Sequence, residues 1–295
     1  MEHNEVQNEV QNEVTENEKP ATLLDKVKTY AASFGKPLKV WLLTPCYGSQ
    51  VYVNYVTSLM HTVELFRLCQ IPLIVEFCKN DSLVPRARNN LLAKAMSDPD
   101  MTHVIFIDAD ITWNPSDILR LLLADKEVVG GIYPLKSYQW QRLLKSKDVV
   151  DTMMHRHHGS ITRSVVSQTE FIRQNLVKYN VNFLSTQLNV VNSIAEVRHI
   201  PTGFMMIQRT AIEKMQTWYP ETKYLDDVQY LQFTENDNAY ALFDCGVKDG
   251  HYYSEDWMFC DRWLTKEGHI FADIGIPLMH TGPEDYSGFI LSSLA

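Results

Sequence analysis

The stretch HVIFIDAD spans residues 103–110 and joins an uncharged apolar run to two closely spaced carboxylates. An apolar run rich in β-branched and aromatic residues predicts a strand buried on both faces of a parallel sheet. Open α/β sheets bind ligands just beyond the carboxyl ends of their strands, and Asp108 and Asp110 follow this strand directly. Residues i and i+2 of an extended segment point the same way, so we expect both carboxylates to face one small volume.

Two carboxylates this close repel each other unless a positive charge lies nearby. Hard divalent cations, which keep water ligands and bind phosphate oxygens, meet that need. For an isolated Asp-x-Asp we favour the alternative, in which one aspartate caps the next helix and the other is solvated. The position of this pair at the end of a buried strand makes a metal site the better interpretation.

Length and composition indicate an ordinary soluble globular protein. The 295 residues are 45% hydrophobic and 21% charged, enough for one large domain or a domain with a subdomain. The net charge of -9 argues against nucleic acid or anionic membrane as the main partner. We expect no transmembrane segment and no signal peptide. Five cysteines without a C-x-x-C pair predict buried free thiols in a reducing compartment, hence a cytoplasmic protein, in the host cytoplasm if it is viral.

The chain opens with the repeat NEVQNEVQNEV at residues 4–14. One valine in four residues leaves too little apolar surface to fold alone, so residues 1–20 are predicted to be a disordered acidic tail. A weak partner-dependent helix or a short coiled-coil arm is the alternative. Residues 21–295 are predicted to form a single domain.

Apolar spacing predicts alternating helices and strands from residue 21 onward. The predicted elements are helix 21–34, strand 39–44, helix 51–68, strand 71–78, helix 84–96, strand 103–107, helix 114–124 and strand 127–133. This order predicts an α/β fold with a mostly parallel, Rossmann-like central sheet flanked by helices. The pattern blurs over 134–196, which indicates an irregular insertion. The last predicted elements are strand 204–208, helix 211–218, strand 240–244, helix 254–266, strand 269–274 and a loop at 277–282.

Seven local motifs follow one another along the chain. They are KVWLLTPCYG (39–48), RARN (86–89), FIDAD (106–110), EVVGGIYPLK (127–136), PTGFMMIQR (201–209), SEDWMFCDRW (254–263) and MHTG (279–282). Together they resemble the GT-A glycosyltransferases that use nucleotide-sugar donors, and most closely the inverting enzymes of bacterial and large-virus origin. The resemblance covers residues from about 38 to 282, so it implies a GT-A fold for nearly all of the folded part.

The resemblance implies a metal site at the Asp-x-Asp motif. In such enzymes this motif holds Mn²⁺ or Mg²⁺ against the donor diphosphate. Asp110 would be the direct ligand, and Asp108 would bind either the ribose or the metal. His280 matches a histidine that often completes the site, and its imidazole favours Mn²⁺ over Mg²⁺.

The resemblance also implies a nucleotide site at the ends of the first two strands. Thr44, Pro45 and Tyr47 would take the base and ribose, with Tyr47 either stacked on uracil or serving only as a turn residue. Asp81 would accept a hydrogen bond from the base or ribose, although a plain loop aspartate is the alternative.

The resemblance also makes three basic residues candidates for binding the diphosphate. Arg86 and Arg88 lie two apart and cannot share one helix face; we expect Arg88 to reach the diphosphate and Arg86 to be solvated. Lys136 follows a predicted strand and would neutralise phosphate charge, unless it is a surface lysine.

Glu255 and Asp256 open a predicted helix. Helix-dipole stabilisation alone explains acidic residues there, but in inverting enzymes that the chain resembles, the acidic residue of this motif is the general base. Asp256 is the first candidate for that role and Glu255 its competitor. Gly203, after Thr202, would let a sugar approach the backbone, and Trp257 would stack on the acceptor or pack in the core.

The expected function is therefore metal-dependent, inverting transfer from a nucleotide sugar to a hydroxyl of a glycan, protein or lipid. A UDP-sugar is the first choice of donor and a GDP-sugar the second. A nucleotidyltransferase of related fold ranks lower because TPCYGSQ (44–50) lacks a glycine-rich loop with a basic residue. A non-catalytic sugar-binding or scaffold domain is the third possibility. Segment 134–196 is expected to lie on the acceptor side of the site. Its histidines, His155, His157 and His158, are expected in a solvated loop. A homo-oligomer is possible on the sequence alone.

Overall fold

The strand predicted at residues 103–107 lies inside a nine-stranded sheet. The structure is a computed structural model that describes residues 21–145, 148–159, 166–185 and 187–294. The tail predicted at residues 1–20 lies outside the described residues. None of the described helices is long and apolar enough to cross a membrane.

Short strands and helices alternate along the described chain. The strands are β1 Val40–Cys46, β2 Leu73–Lys79, β3 His103–Ile107, β4 Ile111–Thr112, β5 Val128–Gly131, β6 Pro134–Tyr138, β7 Val177–Tyr179, β8 Asn182–Phe183, β9 Val190–Val191, β10 Ile194–His199, β11 Phe204–Gln208, β12 Gly246–Lys248, β13 His251–Tyr253, β14 Ile270–Asp273, β15 Leu278–Thr281 and β16 Asp285–Gly288. The α-helices are α1 Leu23–Ser33, α2 Val53–Cys69, α3 Val84–Met96, α4 Pro115–Leu123, α5 Val149–Gly159, α6 Gln168–Leu176, α7 Arg209–Trp218, α8 Glu255–Thr265 and α9 Leu291–Leu294.

The central sheet has the order β2-β1-β3-β11-β5-β14-β10-β8, with β9 also paired to β10. The pairs β1–β2, β1–β3 and β5–β14 are parallel. β11 is antiparallel to both of its neighbours, and β10 is antiparallel to β14, β8 and β9. Within the central sheet, every strand except β10 and β11 therefore runs in the same direction. This confirms the predicted α/β fold with a mostly parallel sheet.

Both faces of β3 are covered, as its composition predicts. All of its residues are buried, with Val104 and Phe106 in one apolar cluster and Ile105 and Ile107 in the other. Residues of α3, α7 and α8 complete the first cluster, and residues of α1, α2 and α4 complete the second. Burial of each large apolar side chain contributes about 1.5–3 kcal/mol, so β3 is anchored between two helical layers.

The cysteines agree with the prediction of free thiols. All of them are free; Cys46, Cys69, Cys78 and Cys260 are buried, and Cys245 is half-buried. Burial raises the pKa of the Cys46 thiol to about 11, and Asp108 adds to that shift. These thiols are therefore held in the neutral form.

The strand predicted at residues 240–244 is wrong. Tyr240 makes only an isolated bridge to Lys223. The backbone that follows is bound by side chains instead, because the Asn89 amide bonds to both N and O of Phe243 at 2.8 Å. Arg262 Nη1 donates to two further carbonyls of this segment, at 2.7 and 3.0 Å. Side chains thus meet the hydrogen bonds that a ladder would otherwise supply.

The loop predicted at 277–282 is also wrong, because most of it is β15. This strand pairs with β16 and β4 in a separate three-stranded sheet, where His280 lies opposite Ile111 and Tyr286. The sheet joins the segment after the Asp-x-Asp motif to the end of the chain. His280 is therefore held by a strand.

Segment 134–196 is more regular than predicted. It contains β6 to β10 with α5 and α6; β6 pairs with β7, whereas β8, β9 and β10 extend the central sheet. The histidines predicted in a solvated loop belong to α5. His157 is buried, stacks edge-on against Phe171 at 5.1 Å and bonds through Nε2 to Val166 O at 2.7 Å.

Burial of His103 predicts a pH-dependent stability. Burial lowers its pKa to about 4, whereas an unfolded histidine titrates near 6.5. The unfolded state therefore binds a proton first, so this contribution is complete above about pH 6.5 and is lost as the pH falls toward 4. The test compares the free energy of unfolding, measured by urea titration, at pH 7 and at pH 4.5. We expect its decrease between these two pH values to be roughly 2 kcal/mol smaller in His103→Gln than in the wild type. Parallel pH profiles for the two proteins would contradict this assignment.

Candidate active site

A cavity of about 660 Å³ opens beyond the carboxyl ends of β1, β2 and β3. Its lining includes six residues that were predicted as site residues from the sequence: Pro45, Tyr47, Asp81, Arg88, Asp108 and Asp110. This is the edge at which an open α/β sheet binds its ligands. A larger cavity of about 1070 Å³, lined by parts of α1, α4 and β10, contains none of the predicted site residues.

The Asp-x-Asp motif forms a turn, not the extended segment that we predicted. Ile111 N donates to Asp108 O at 3.0 Å, which closes the turn. Asp108 and Asp110 consequently contact different partners, although both line the cavity. Both carboxylates line one cavity, as we predicted. The prediction that they lie on an extended segment and point the same way is wrong.

Three neighbouring segments hold this turn through its backbone. Asp108 N donates to Gly203 O at 3.1 Å, in front of β11. Tyr52 N donates to Ala109 O at 3.0 Å, and the N–H of residue 281 in β15 donates to Asp110 O at 2.8 Å. The two carboxylates are thus carried on a backbone fixed from β11, α2 and β15.

Arg88 connects the motif to the start of α8. Its side chain is 4% exposed, with Nη2 2.9 Å from Asp108 Oδ1 and Nε 3.2 Å from Glu255 Oε1. Burial disfavours the charged guanidinium, but Asp108 and Glu255 outweigh that effect and hold its pKa above the usual value. Arg88 Nη1 has no hydrogen-bond partner among the described residues. An anion in the cavity is the kind of group that would satisfy it.

Asp110 has two partners on one oxygen. Lys136 Nζ donates to Asp110 Oδ2, and His280 Nε2 lies 3.5 Å from the same oxygen. Burial disfavours ionisation of Asp110, but the contacts with His280 and Lys136 outweigh it and hold its pKa below the usual value. His280 Nδ1 lies 2.8 Å from Pro134 O. A carbonyl oxygen can only accept, so Nδ1 carries the proton of that hydrogen bond, and Nε2 is the ring nitrogen that faces Asp110.

This donor set is chemically suited to a divalent cation. A carboxylate oxygen beside an imidazole nitrogen is a pair that Mn²⁺ accepts readily, and the bond from His280 Nδ1 to Pro134 O orients the ring as in many metal sites. Within the described ranges, no group of three or more His, Cys, Asp or Glu side chains is arranged to hold a metal ion. Asp110 and His280, with Asp108 nearby, would leave the remaining coordination positions to a ligand.

The first turn of α8 separates the two candidates for the general base. Glu255 Oε1 is bound to Arg88. Asp256 Oδ1 accepts hydrogen bonds from Ser254 Oγ and from Trp257 N, the latter at 2.8 Å. No described residue donates to Asp256 Oδ2, and neither Glu255 nor Asp256 is among the residues that line the cavity.

Trp257 packs against other aromatic rings. Its indole stacks on His199 at 4.6 Å with an interplanar angle of 3°, and Tyr253 lies edge-on at 6.1 Å. Of the two roles that we expected for Trp257, these contacts favour core packing.

Thr44 and Gly203 do not serve a ligand in the way that we predicted. Thr44 is buried and its hydroxyl bonds to Tyr55 Oη at 2.6 Å, so it does not line the cavity. A Cβ on Gly203 would lie 2.5 Å from Tyr133 Oη and 2.6 Å from Asp108 Oδ2. The glycine therefore makes room for these two protein groups.

Asp81 and Arg86 form a pair at the mouth of the cavity. Arg86 donates to both carboxylate oxygens at 2.8 and 2.9 Å, and Leu83 N donates to Oδ1 at 2.9 Å. Burial raises the pKa of Asp81, but these bonds outweigh it and the net shift is downward. Arg86 is 36% exposed, as expected for a surface residue, but it also pairs with Asp81, which is an ionised acceptor. Tyr47 is 74% exposed and has an open ring face for a ligand.

Tyr133 is the central residue that sequence reasoning missed. Its ring lies edge-on to His280 at 5.0 Å. Burial, reinforced by Asp108, raises the pKa of its phenol well above the usual value. A large aromatic two residues after the end of the strand VVGG is the signal that could have indicated it. Tyr133 therefore lies beside His280 through its ring and, at Gly203, beside Asp108 through its hydroxyl.

Comparisons with known proteins show little. No protein-family model matches the chain, and no curated protein matches it. Among solved structures it is similar to the crystal structure of A197 from STIV, with a TM-score of 0.44 and 14% sequence identity over 83% of this chain and 86% of that chain. A likeness of this size says nothing about activity.

The buried charge on Arg88 predicts a large stability effect. Arg88→Met would leave Asp108 and Glu255 without their shared cation, so we expect a loss of about 3–5 kcal/mol in the free energy of unfolding. Arg67→Met is the matched control, because Arg67 pairs with Glu64 on the exposed surface of α2, where ion pairs contribute little. Denaturant titration of both variants measures the difference. Equal, small effects would show that Arg88 is not the anchor of this site.

Proposed function

We propose that this protein is a metal-dependent glycosyltransferase of GT-A architecture that moves a sugar from a nucleotide sugar to an acceptor hydroxyl with inversion. One observation carries the proposal. Arg88 contacts both Asp108, at the end of β3, and Glu255, at the start of α8. The acidic motif suited to a metal and diphosphate and the acidic helix start suited to a general base thereby belong to one site.

The cavity has features that suit a nucleoside diphosphate. The open ring of Tyr47 and the ionised Asp81 provide a stacking surface and an acceptor for the base and ribose. Arg88 Nη1 provides an unused donor for a phosphate oxygen. A UDP-sugar is the first choice of donor and a GDP-sugar the second.

Asp110 and His280 are the residues that would hold a divalent cation, with Asp108 as a further ligand or a ribose acceptor. When bound, such a cation would offset the negative charge that develops on a departing diphosphate. Mn²⁺ is the first choice because of the imidazole donor, and Mg²⁺ is the second.

Asp256 is the proposed general base. The acceptor oxygen attacks the anomeric carbon from the side opposite the diphosphate, and its proton passes to Asp256 Oδ2. The new carbon–oxygen bond forms as the bond to the diphosphate breaks, so the configuration inverts. The hydrogen bonds to Asp256 Oδ1 from Ser254 and Trp257 fix the carboxylate for this transfer. Glu255 is a positioning residue that acts through Arg88.

The acceptor class proposed is a glycan, protein or lipid hydroxyl. The hairpin of β12 and β13 leads directly into Asp256 and exposes Val247 and Tyr252. An apolar and aromatic edge of this kind suits the face of a sugar ring. We place the acceptor between this hairpin and the cavity.

Removal of the Asp110 carboxylate tests the metal and donor site. Asp110→Asn should lose Mn²⁺-dependent UDP binding, measured by calorimetry, because an amide oxygen is a weaker ligand than a carboxylate. Asp100→Asn is the matched control, because Asp100 is an exposed aspartate just before β3. Undiminished Mn²⁺-dependent binding in Asp110→Asn would contradict the proposed site.

Replacement of the proposed base separates binding from chemistry. Asp256→Asn should bind UDP and Mn²⁺ as the wild type does, yet release UDP from the donor and acceptor roughly 10²–10⁴-fold more slowly, which is the usual contribution of a general base. Asp100→Asn, at the exposed aspartate just before β3, serves again as the control. Wild-type turnover in Asp256→Asn would contradict the assignment of the base.

A panel of substrates separates the rival functions. With Mn²⁺ and nucleotide sugars, slow release of UDP or GDP supports the transferase. Pyrophosphate release from a nucleoside triphosphate would support a nucleotidyltransferase instead. Saturable sugar binding without turnover would support a binding module.

A further inference from the structure

Lys136 occupies the carboxylate oxygen that the proposed metal site needs. Its Nζ donates to Asp110 Oδ2, the oxygen that lies 3.5 Å from His280 Nε2. The ring centre of Tyr52 lies 5.9 Å from the same ammonium. The ammonium of Lys136 thus occupies the carboxylate oxygen of Asp110 that a bound metal ion would need.

The path of Lys136 to Asp110 crosses Gly282. A Cβ at residue 282 would lie 2.9 Å from Lys136 Cδ, so the glycine leaves the space through which the lysine passes. Lys136 belongs to β6, and this strand also provides the Pro134 carbonyl that binds His280 Nδ1. One strand therefore supplies both the competing cation and the orientation of the imidazole.

Lys136 and Arg88 differ in how firmly they are held. Arg88 is 4% exposed and bound by two carboxylates, whereas Lys136 is 31% exposed and its ion pair in the described structure is with Asp110. A lysine carries its charge on a flexible four-carbon stem. Arg88 is consequently a fixed part of the site, and Lys136 is able to move away from it.

We propose that Lys136 is a tethered counter-ion, which neutralises Asp110 until a divalent cation and a nucleotide diphosphate bind together. The inference rests on the proposed function and concerns the order and strength of binding at that site. A divalent cation between Asp110 and His280 would lie beside the ammonium, and like charges at that distance repel. The ion and Lys136 therefore exclude each other at Asp110 Oδ2.

The displaced ammonium finds a new partner in the diphosphate. Phosphate oxygens accept from lysine as carboxylates do, so the nucleotide relieves the cost of moving Lys136. Mn²⁺ alone binds weakly as a result, and the diphosphate strengthens its binding. By linkage Mn²⁺ strengthens nucleotide binding by the same factor.

The test measures Mn²⁺ binding without catalysis. Lys136→Met keeps the alkyl chain and removes the charge. In electron paramagnetic resonance titrations of free Mn²⁺ without nucleotide, we expect its Kd for Mn²⁺ to be at least about fivefold lower than that of the wild type. We also expect UDP to improve Mn²⁺ affinity less in this variant than in the wild type.

Two further variants complete the design. Lys214→Met is the matched control: Lys214 pairs with Glu127 at 2.6 Å and lies 5.7 Å from the Trp263 ring, away from the cavity. Its Mn²⁺ affinity should equal that of the wild type. Gly282→Ala keeps the lysine but crowds its Cδ, so it should weaken the contact with Asp110 and strengthen Mn²⁺ binding in the same direction as Lys136→Met.

The outcomes distinguish the inference from the function beneath it. Equal or weaker Mn²⁺ binding in both Lys136→Met and Gly282→Ala, with Mn²⁺-dependent UDP binding intact, overturns the counter-ion and leaves the proposed function standing. UDP binding that never requires Mn²⁺ in the wild type overturns both the counter-ion and the metal dependence of the proposed function, since Lys136 would then replace the metal permanently. Failure of every protein to bind Mn²⁺, with and without UDP, overturns both.

Discussion

The candidate site depends on the charge compensation of carboxylates that lie at the edge of the central sheet. Asp108 and Glu255 share the buried guanidinium of Arg88, and Asp110 takes the ammonium of Lys136. A carboxylate left buried without a partner costs several kcal/mol. The positions of α3, α8 and β6 around the end of β3 are therefore coupled, because each supplies one member of these ion pairs.

The sheet gives these charges a rigid base. β3 lies between two apolar clusters, and the turn after it is bonded to segments beside β11, α2 and β15. Gly203 lets Asp108 and Tyr133 pack against the start of β11, since any side chain there would meet both. Rigidity of this kind keeps Asp108 and Asp110 at the cavity while leaving the end of Lys136 partly exposed.

Local patterns predicted much of the fold and part of the site. The apolar run of β3 and the helical spacing of α3 are properties of a few neighbouring residues, and both elements are confirmed. The residue types and positions of Asp108 and Asp110 predicted that both face one volume, the resemblance added Arg88, and all three line one cavity. The acidic start of α8 was also predicted at its observed position.

Features that depend on distant parts of the chain were not predictable in the same way. The reversal of β11 is decided by its pairing with β3 and β5, which its own residues do not show. The contact between Arg88 and Glu255 joins residues 167 positions apart, and only that contact separates Glu255 from Asp256. Thr44 turned inward because Tyr55 of α2 offers its hydroxyl a buried partner. β15 is too short for a periodic signal, so the strand that carries His280 was mistaken for a loop.

A crystal structure of the protein with UDP and Mn²⁺ tests the central claim most directly. Our account predicts one Mn²⁺ bound by Asp110 and His280, the diphosphate within reach of Arg88 Nη1, and the uracil beside Tyr47. It also predicts that Lys136 leaves Asp110 for a phosphate oxygen. A nucleotide bound elsewhere, or bound in this cavity with the carboxylates of Asp108 and Asp110 still held only by Arg88 and Lys136, would contradict it.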